Sequence, residues 1–134
     1  MAHLLASIYS TVSVIATDDI EKSILYYTDI LGFLPDFKYG EPPVYAGVKS
    51  GNAEIYFTLD PSLSGTYKAN NLKPEIFIWV PDVNSLFNTH IEKGAEIVEP
   101  VGDRPWGARQ YVVKEINGYH LKFAQPLNGP PSTG

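Results

Sequence analysis

Two stretches decide how this chain folds: Asp19-Ile20-Glu21-Lys22-Ser23-Ile24-Leu25-Tyr26-Tyr27-Thr28-Asp29-Ile30-Leu31-Gly32 and Asp82-Val83-Asn84-Ser85-Leu86-Phe87-Asn88-Thr89-His90-Ile91-Glu92-Lys93-Gly94. Each opens on an Asp, whose carboxylate accepts the unpaired N–H groups of a helix's first turn, and each closes on a Gly suited to the left-handed residue that ends one. Between those signals the apolar residues recur at helical spacing: Ile20, Ile24, Tyr27 and Leu31 in the first, Val83, Leu86, Phe87 and Ile91 in the second. The echo continues downstream. Val48-Lys49-Ser50-Gly51-Asn52 matches Val113-Lys114-Glu115-Ile116-Asn117 at an offset of 65, Ile55-Tyr56-Phe57 matches Leu121-Lys122-Phe123 at 66, and Pro61 matches Pro126 at 65. Matches in the same order identify two copies of one unit.

Each copy reads as a strand, a helix and three strands. The first has strands over Ser7–Ala16, Phe33–Tyr39, Val44–Ser50 and Ala53–Leu59, the last two turning at Gly51-Asn52. The second has strands over Glu75–Val80, Glu96–Val101, Arg109–Lys114 and Tyr119–Ala124 with a helix over Asp82–Lys93, and Asn117-Gly118 is a strong hairpin signal. The expected organisation is a single domain over 1–126 made of two βαβββ modules, at about 6–60 and 74–125, joined by a polar link over 61–73. Residues 127–134, rich in Pro, Gly and Ser, are expected to be a flexible tail.

Composition narrows the function. The chain has 134 residues, a net charge of −5 and no basic block, which disfavours nucleic acid and anionic lipid as partners. No apolar run is long enough to span a membrane, and residues 1–9 lack the basic start and apolar stretch of a signal peptide. The absence of cysteine removes disulfides, thiol nucleophiles and thiolate metal sites, and fits a cytoplasmic protein. Two Trp, nine Tyr and six Phe exceed what a core of this size needs. Such a surplus suits either a well-packed sheet or a surface that stacks on something flat.

Strand alternation assigns those aromatics. If Val12, Val14, Ile55, Phe57, Leu59, Ile76, Ile78, Val80, Leu121 and Phe123 pack on the helices, the opposite face carries Tyr9, Tyr56, Glu75, Phe77, Trp79, His120 and Lys122, with Glu54 beside them. Tyr111 and Val113 are assigned to that face too. A fully solvated face would not carry so many aromatics, and a buried one would not carry Glu, His and Lys. A semi-enclosed cleft satisfies both conditions, and so does a dimer interface. Trp106, in a Pro-Trp-Gly loop, either closes over a ligand or plugs a subunit contact. Arg109 either meets a ligand carboxylate or pairs with Asp103, and Lys122 either meets a ligand or pairs with Glu75.

The repeated βαβββ order, the Asp19-to-Tyr27 stretch, Ile30-Leu31-Gly32-Phe33, Asp103-Arg104-Pro105-Trp106-Gly107-Ala108-Arg109 and the closing Asn117-Gly118-Tyr119-His120-Leu121-Lys122-Phe123-Ala124-Gln125 together resemble the vicinal oxygen chelate superfamily. That superfamily includes glyoxalase I, bleomycin-resistance proteins and extradiol dioxygenases. The resemblance covers nearly all of residues 7–125. It implies an α+β fold in which the tandem modules form a curved mixed eight-stranded sheet with a concave cleft, and a homodimer. It also implies His/Glu metal ligands on the first, fourth, fifth and eighth strands. In this chain those positions fall on Thr11 or Val12, Tyr56, Glu75 and Lys122, of which Glu75 alone is an ordinary ligand, so no metal, other cofactor or catalytic residue is expected.

The resulting expectation is a metal-free protein that sequesters a planar small molecule, with positive charge on the ligand favoured by the acidic balance, as the bleomycin-resistance branch does. The expected ligand contacts are Tyr9, Tyr56, Glu75, Phe77, Trp79, Trp106, Arg109, Tyr111, His120 and Lys122. Two alternatives stay open: an enzyme of the same superfamily working by proton transfer through Glu75 or His120 or through a non-standard metal site, and a scaffold whose aromatic face is only a dimer seam.

Overall fold

A computed structural model describes residues 7–128. Its elements run β1 (Ser13–Thr17), α1 (Ile20–Leu25) continued by a π-helical turn over Tyr26–Ile30, β2 (Leu34–Tyr39), β3 (Tyr45–Ser50), β4 (Ala53–Leu59), α2 (Pro61–Ala69), β5 (Glu75–Trp79), α3 (Val83–Glu92), β6 (Glu96–Arg104), β7 (Ala108–Lys114) and β8 (His120–Pro126). The fold is α+β with all eight expected strands. They hydrogen-bond as two four-stranded mixed sheets, in the orders β1-β4-β3-β2 and β5-β8-β7-β6. The two orders match position for position, as a duplicated unit requires. In each, the first strand runs parallel to the last of its module, and the remaining pairs are antiparallel hairpins.

The helix signals work as the sequence suggests. Asp19 Oδ1 accepts from the Lys22 amide at 3.0 Å and Asp82 Oδ1 from the Ser85 amide at 3.1 Å. Gly32 and Gly94, at φ +84° and +89°, follow the helical segments in the left-handed region. A third helix, α2, occupies most of the stretch expected to be a polar link. Asp60 caps it through the Leu63 amide at 3.0 Å, Pro61 opens it, and Ser64 is fully buried. The proposed tail beyond Asn128, and His3 near the N-terminus, lie outside the described residues. No helix among the described residues is long and apolar enough to cross a membrane.

The core sits between the sheets and their helices. Ile15, Ile20, Tyr27, Phe33, Val48, Ile55 and Phe57 from the first module join Val83, Tyr111, Val113, Leu121 and Phe123 from the second in one buried cluster. The modules are also joined by buried polar side chains. Tyr27 Oη donates to Glu115 Oε2 at 2.7 Å, Thr17 Oγ1 to Asn117 Oδ1 at 2.8 Å, and the Ala16 amide to Tyr119 Oη at 3.1 Å. Glu115 Oε1 also accepts the Asn117 and Tyr119 amides at 2.7 and 2.9 Å. Burial raises the Glu115 carboxyl above its ordinary pKa, against the pull of those donors.

Candidate functional site

The face of each sheet turned away from the helices is built by the register. On the second sheet Glu75 lies opposite His120, Phe77 opposite Lys122 and Trp79 opposite Ala124; Gln110 and Val112 oppose Ala124 and Lys122 from the other side. One face therefore carries Glu75, Phe77, Trp79, His120 and Lys122, as their alternation predicted. Val112 and Ala124 are its buried floor. The Phe77 and Trp79 rings meet edge to face with centroids 4.9 Å apart, and both remain close to half exposed, at 45% and 47%. Lys122 Nζ is 2.9 Å from Glu75 Oε2, so the pairing considered from sequence is present. Burial, then the ammonium groups of Lys73 and Lys114, lower the pKa of His120, which favours the neutral imidazole.

Trp106 extends this face. Its indole N–H donates to Gln110 Oε1 at 3.1 Å while 62% of the residue stays exposed. Gln110 is itself buried. It was absent from the expected contacts because a glutamine between Arg109 and Tyr111 carries no signal of its own in sequence; its role as a bracket for Trp106 comes from the register alone.

The first sheet carries a separate aromatic group. Gly47 pairs with both Phe37 and Tyr56, and Tyr45 with Thr58, so Phe37, Tyr45 and Tyr56 gather above Gly47. Tyr56 lies 5.0 Å from Phe37 and 5.9 Å from Tyr45 between ring centroids. Burial, followed by the carboxylates of Glu54 and Asp36, raises the Tyr56 phenol. Phe37 and Tyr45 were not among the expected residues. The alternation of β4 was informative, but the partners of Tyr56 depend on which strand lies beside it.

Three expected residues fall elsewhere. Tyr111 is fully buried on the helix side: it opposes Phe123, its ring stacks on that of Phe123 at 5.4 Å, and its hydroxyl donates to His90 Nδ1 at 2.8 Å. Val113 shares that side. Arg109 opposes Gln125 on the same side and is held by Asn84 Oδ1 at 2.9 Å and Asp103 Oδ1 at 3.0 Å. Tyr9 is fully exposed in coil ahead of β1, which begins at Ser13 and not at Ser7. The faces of β1 are also reversed. Ser13, Ile15 and Thr17 oppose Ile55, Phe57 and Leu59 on the helix side, leaving Val14 on the other. A strand's side chains alternate with period two, so reading the inward set one residue early exchanges the faces.

Two further spaces border these walls. One, of about 650 Å³, lies on the helix side between the Leu31–Phe33 turn, the end of β5 and α3. The other, of about 330 Å³, lies where the two sheets meet, between β1, β4 and β5.

A model of the Glyoxalase/Bleomycin resistance protein/Dioxygenase superfamily matches residues 3–123. The chain belongs to this superfamily. Among solved structures it is similar to TioX from Micromonospora sp. ML1, at 23% identity and a TM-score of 0.72 over 88% of this chain and 98% of that one. It is also similar to the bleomycin-binding protein from bleomycin-producing Streptomyces verticillus, complexed with copper(II)-bleomycin, at 22% identity and a TM-score of 0.72 over 89% and 97%. A glyoxalase-related enzyme from Clostridium phytofermentans matches at 16% identity and a TM-score of 0.74 over 92% and 99%. At such identities these likenesses speak for the fold alone. No curated protein matches the chain.

Superfamily membership raises the question of a metal. The side chains at the four positions assigned by the resemblance do not suit a divalent ion. Thr11 and Val12 precede β1, Tyr56 offers a phenol whose pKa is raised, and Lys122 is a cation whose partner is Glu75. Among the described residues no three His, Asp or Glu side chains are grouped to hold an ion.

Proposed function

We propose that this superfamily member is a metal-free binding protein, working as a homodimer, that sequesters a planar small molecule, with positive charge favoured, against the inner faces of its sheets. One observation carries the reading: Phe77, Trp79 and Trp106 remain substantially exposed on a sheet face that also holds charged side chains. Trp and Tyr rings gain most from planar partners and lose little conformational freedom in doing so. The engagement of Glu75 by Lys122 at 2.9 Å supports stacking over chelation as the source of affinity. The likeness in fold to a bleomycin-binding protein agrees with the same reading.

Isothermal titration calorimetry with metal-free bleomycin and with neutral quinoxaline, together with tryptophan fluorescence, tests it. Micromolar binding by at least one planar compound is expected, weakened about tenfold by Trp79→Leu, roughly the 1.4 kcal/mol of one aromatic contact. Silence towards both compounds, or one divalent ion per chain retained through gel filtration, would overturn the proposal. The enzymatic alternative has one observation in its favour, the placement of His120 directly opposite Glu75 on this face, where burial and two ammonium groups favour the neutral imidazole that a proton acceptor needs.

A further inference from the structure

The opening of about 330 Å³ where the two sheets meet draws its lining from β1, β4 and β5. Phe77 and Trp79 line it from β5, Asn52 and Glu54 from the turn before β4 and its first residues, and Thr11 and Ser13 from ahead of and at the start of β1, with apolar residues of β4 and β5 completing the lining. Glu54 is the one charged side chain that lines it, and it is half-buried. Its expected cross-strand partner does not neutralise it. Lys49 opposes Glu54 in the β3–β4 register, yet its ammonium lies 3.6 Å from Asp36. Among the described residues no cation comes within ion-pair distance of Glu54. Glu75, the other carboxylate near the aromatic pair, already holds Lys122 at 2.9 Å. The charge of Glu54 is left over beside two rings.

Two aromatic rings and a carboxylate attract the same kind of group. Ring faces carry negative electrostatic potential and draw cations to within about 6 Å of the centroid, more strongly where water is excluded. A carboxylate adds charge attraction, and nearby hydroxyls accept N–H groups. We propose that this opening binds an organic cation, an alkylammonium or guanidinium group, with Glu54 as the residue that selects for charge. An anionic group is repelled there, and a neutral one forgoes the ion pair while still desolvating Glu54. The proposal deepens the sequestration reading and rests on it, since it assigns the charged end of the same ligand to a particular wall.

The test uses the full chain carrying Trp106→Phe, so that Trp79 is the sole tryptophan. The probes are choline and its uncharged isostere 3,3-dimethylbutan-1-ol. Choline should change Trp79 fluorescence saturably at millimolar concentration, and the isostere should bind at least tenfold more weakly. Glu54→Gln should weaken choline at least tenfold, while Glu92→Gln, the same loss of charge on the exposed side of α3, should change it less than twofold. Should Glu54→Gln fail to fold by circular dichroism, Phe77→Leu provides the second variant, with at least a threefold loss expected. Equal binding of choline and its isostere, or full choline affinity in Glu54→Gln or in a folded Phe77→Leu, would overturn the inference. Quinoxaline separates the two ideas. If it binds and choline does not, the cation site fails and stacking survives; if choline binds and no planar compound does, the sequestration reading fails and the cation site stands.

Discussion

At position 47 the chain has room for a hydrogen and nothing larger: a Cβ placed there would lie 2.5 Å from Phe37 Cε1 and 3.0 Å from Tyr56 Cδ1. Gly47→Ala should therefore displace both rings and cost about 1–3 kcal/mol in a urea unfolding experiment, as overpacking does. Nothing in the sequence marks this glycine, because its neighbours come from β2 and β4. Tyr111 teaches the same lesson in reverse. An aromatic on a strand is compatible with either face, and the buried His90 that receives its hydroxyl is distant in sequence. His90 Nε2–H donates to the Leu31 carbonyl at 3.2 Å, leaving Nδ1 as the acceptor for Tyr111. Burial lowers its pKa despite that carbonyl. The unfolded imidazole thus binds its proton at higher pH than the folded one. The stabilising contribution is present above the unfolded value of about 6.5 and is lost as pH falls towards the folded pKa. Urea midpoints measured between pH 7.5 and 5 should fall by more in the wild type than in His90→Gln. His120, also lowered, adds to the fall in both proteins and Glu115, raised by burial, opposes it in both, so the difference between the two slopes reads His90.

Elements were legible where periodicity and punctuation agreed. α3 and β4 match their expected bounds within a residue, because an Asp cap, a terminal Gly and strong alternation all mark their limits. α2 was missed although Asp60 and Pro61 begin it correctly; its polar run and central Gly65 hide a helix that docks through the small, buried Ser64. The same cap chemistry yields a comparative prediction. Asp60→Ala and Asp82→Ala should each lower stability by about 1 kcal/mol, since each removes the acceptor for one first-turn amide. Equal losses in thermal melts would show that the unexpected helix contributes to the cooperative fold as much as α3 does. A negligible loss for Asp60→Ala would mark α2 as detachable. β1 was misread for a different reason: its apolar run extends through Val12, Val14, Ile15 and Ala16, which leaves the inward set ambiguous by one residue.

Over the whole molecule, the duplication was legible from the repeated helix signals and the offset of about 65 residues, and the matching strand orders follow from it. What sequence could not supply was the way the halves are fastened. The fastening consists of buried side chains, with Glu115 at its centre receiving Tyr27 from the other module. Glu115→Ala should cost about 2–4 kcal/mol, because a hydroxyl and two amides lose their acceptor in a buried place. A single unfolding transition is expected in the wild type, and separate transitions in Glu115→Ala would show that this carboxylate couples the halves. Among the described residues no backbone ladder runs from one half to the other, so each sheet keeps its own register whatever happens next door. That arrangement gives the descendants of a doubled gene unusual latitude. Mutations are free to drift through the outward rows of one copy, trading one recognition chemistry for another, while its twin preserves the scaffold.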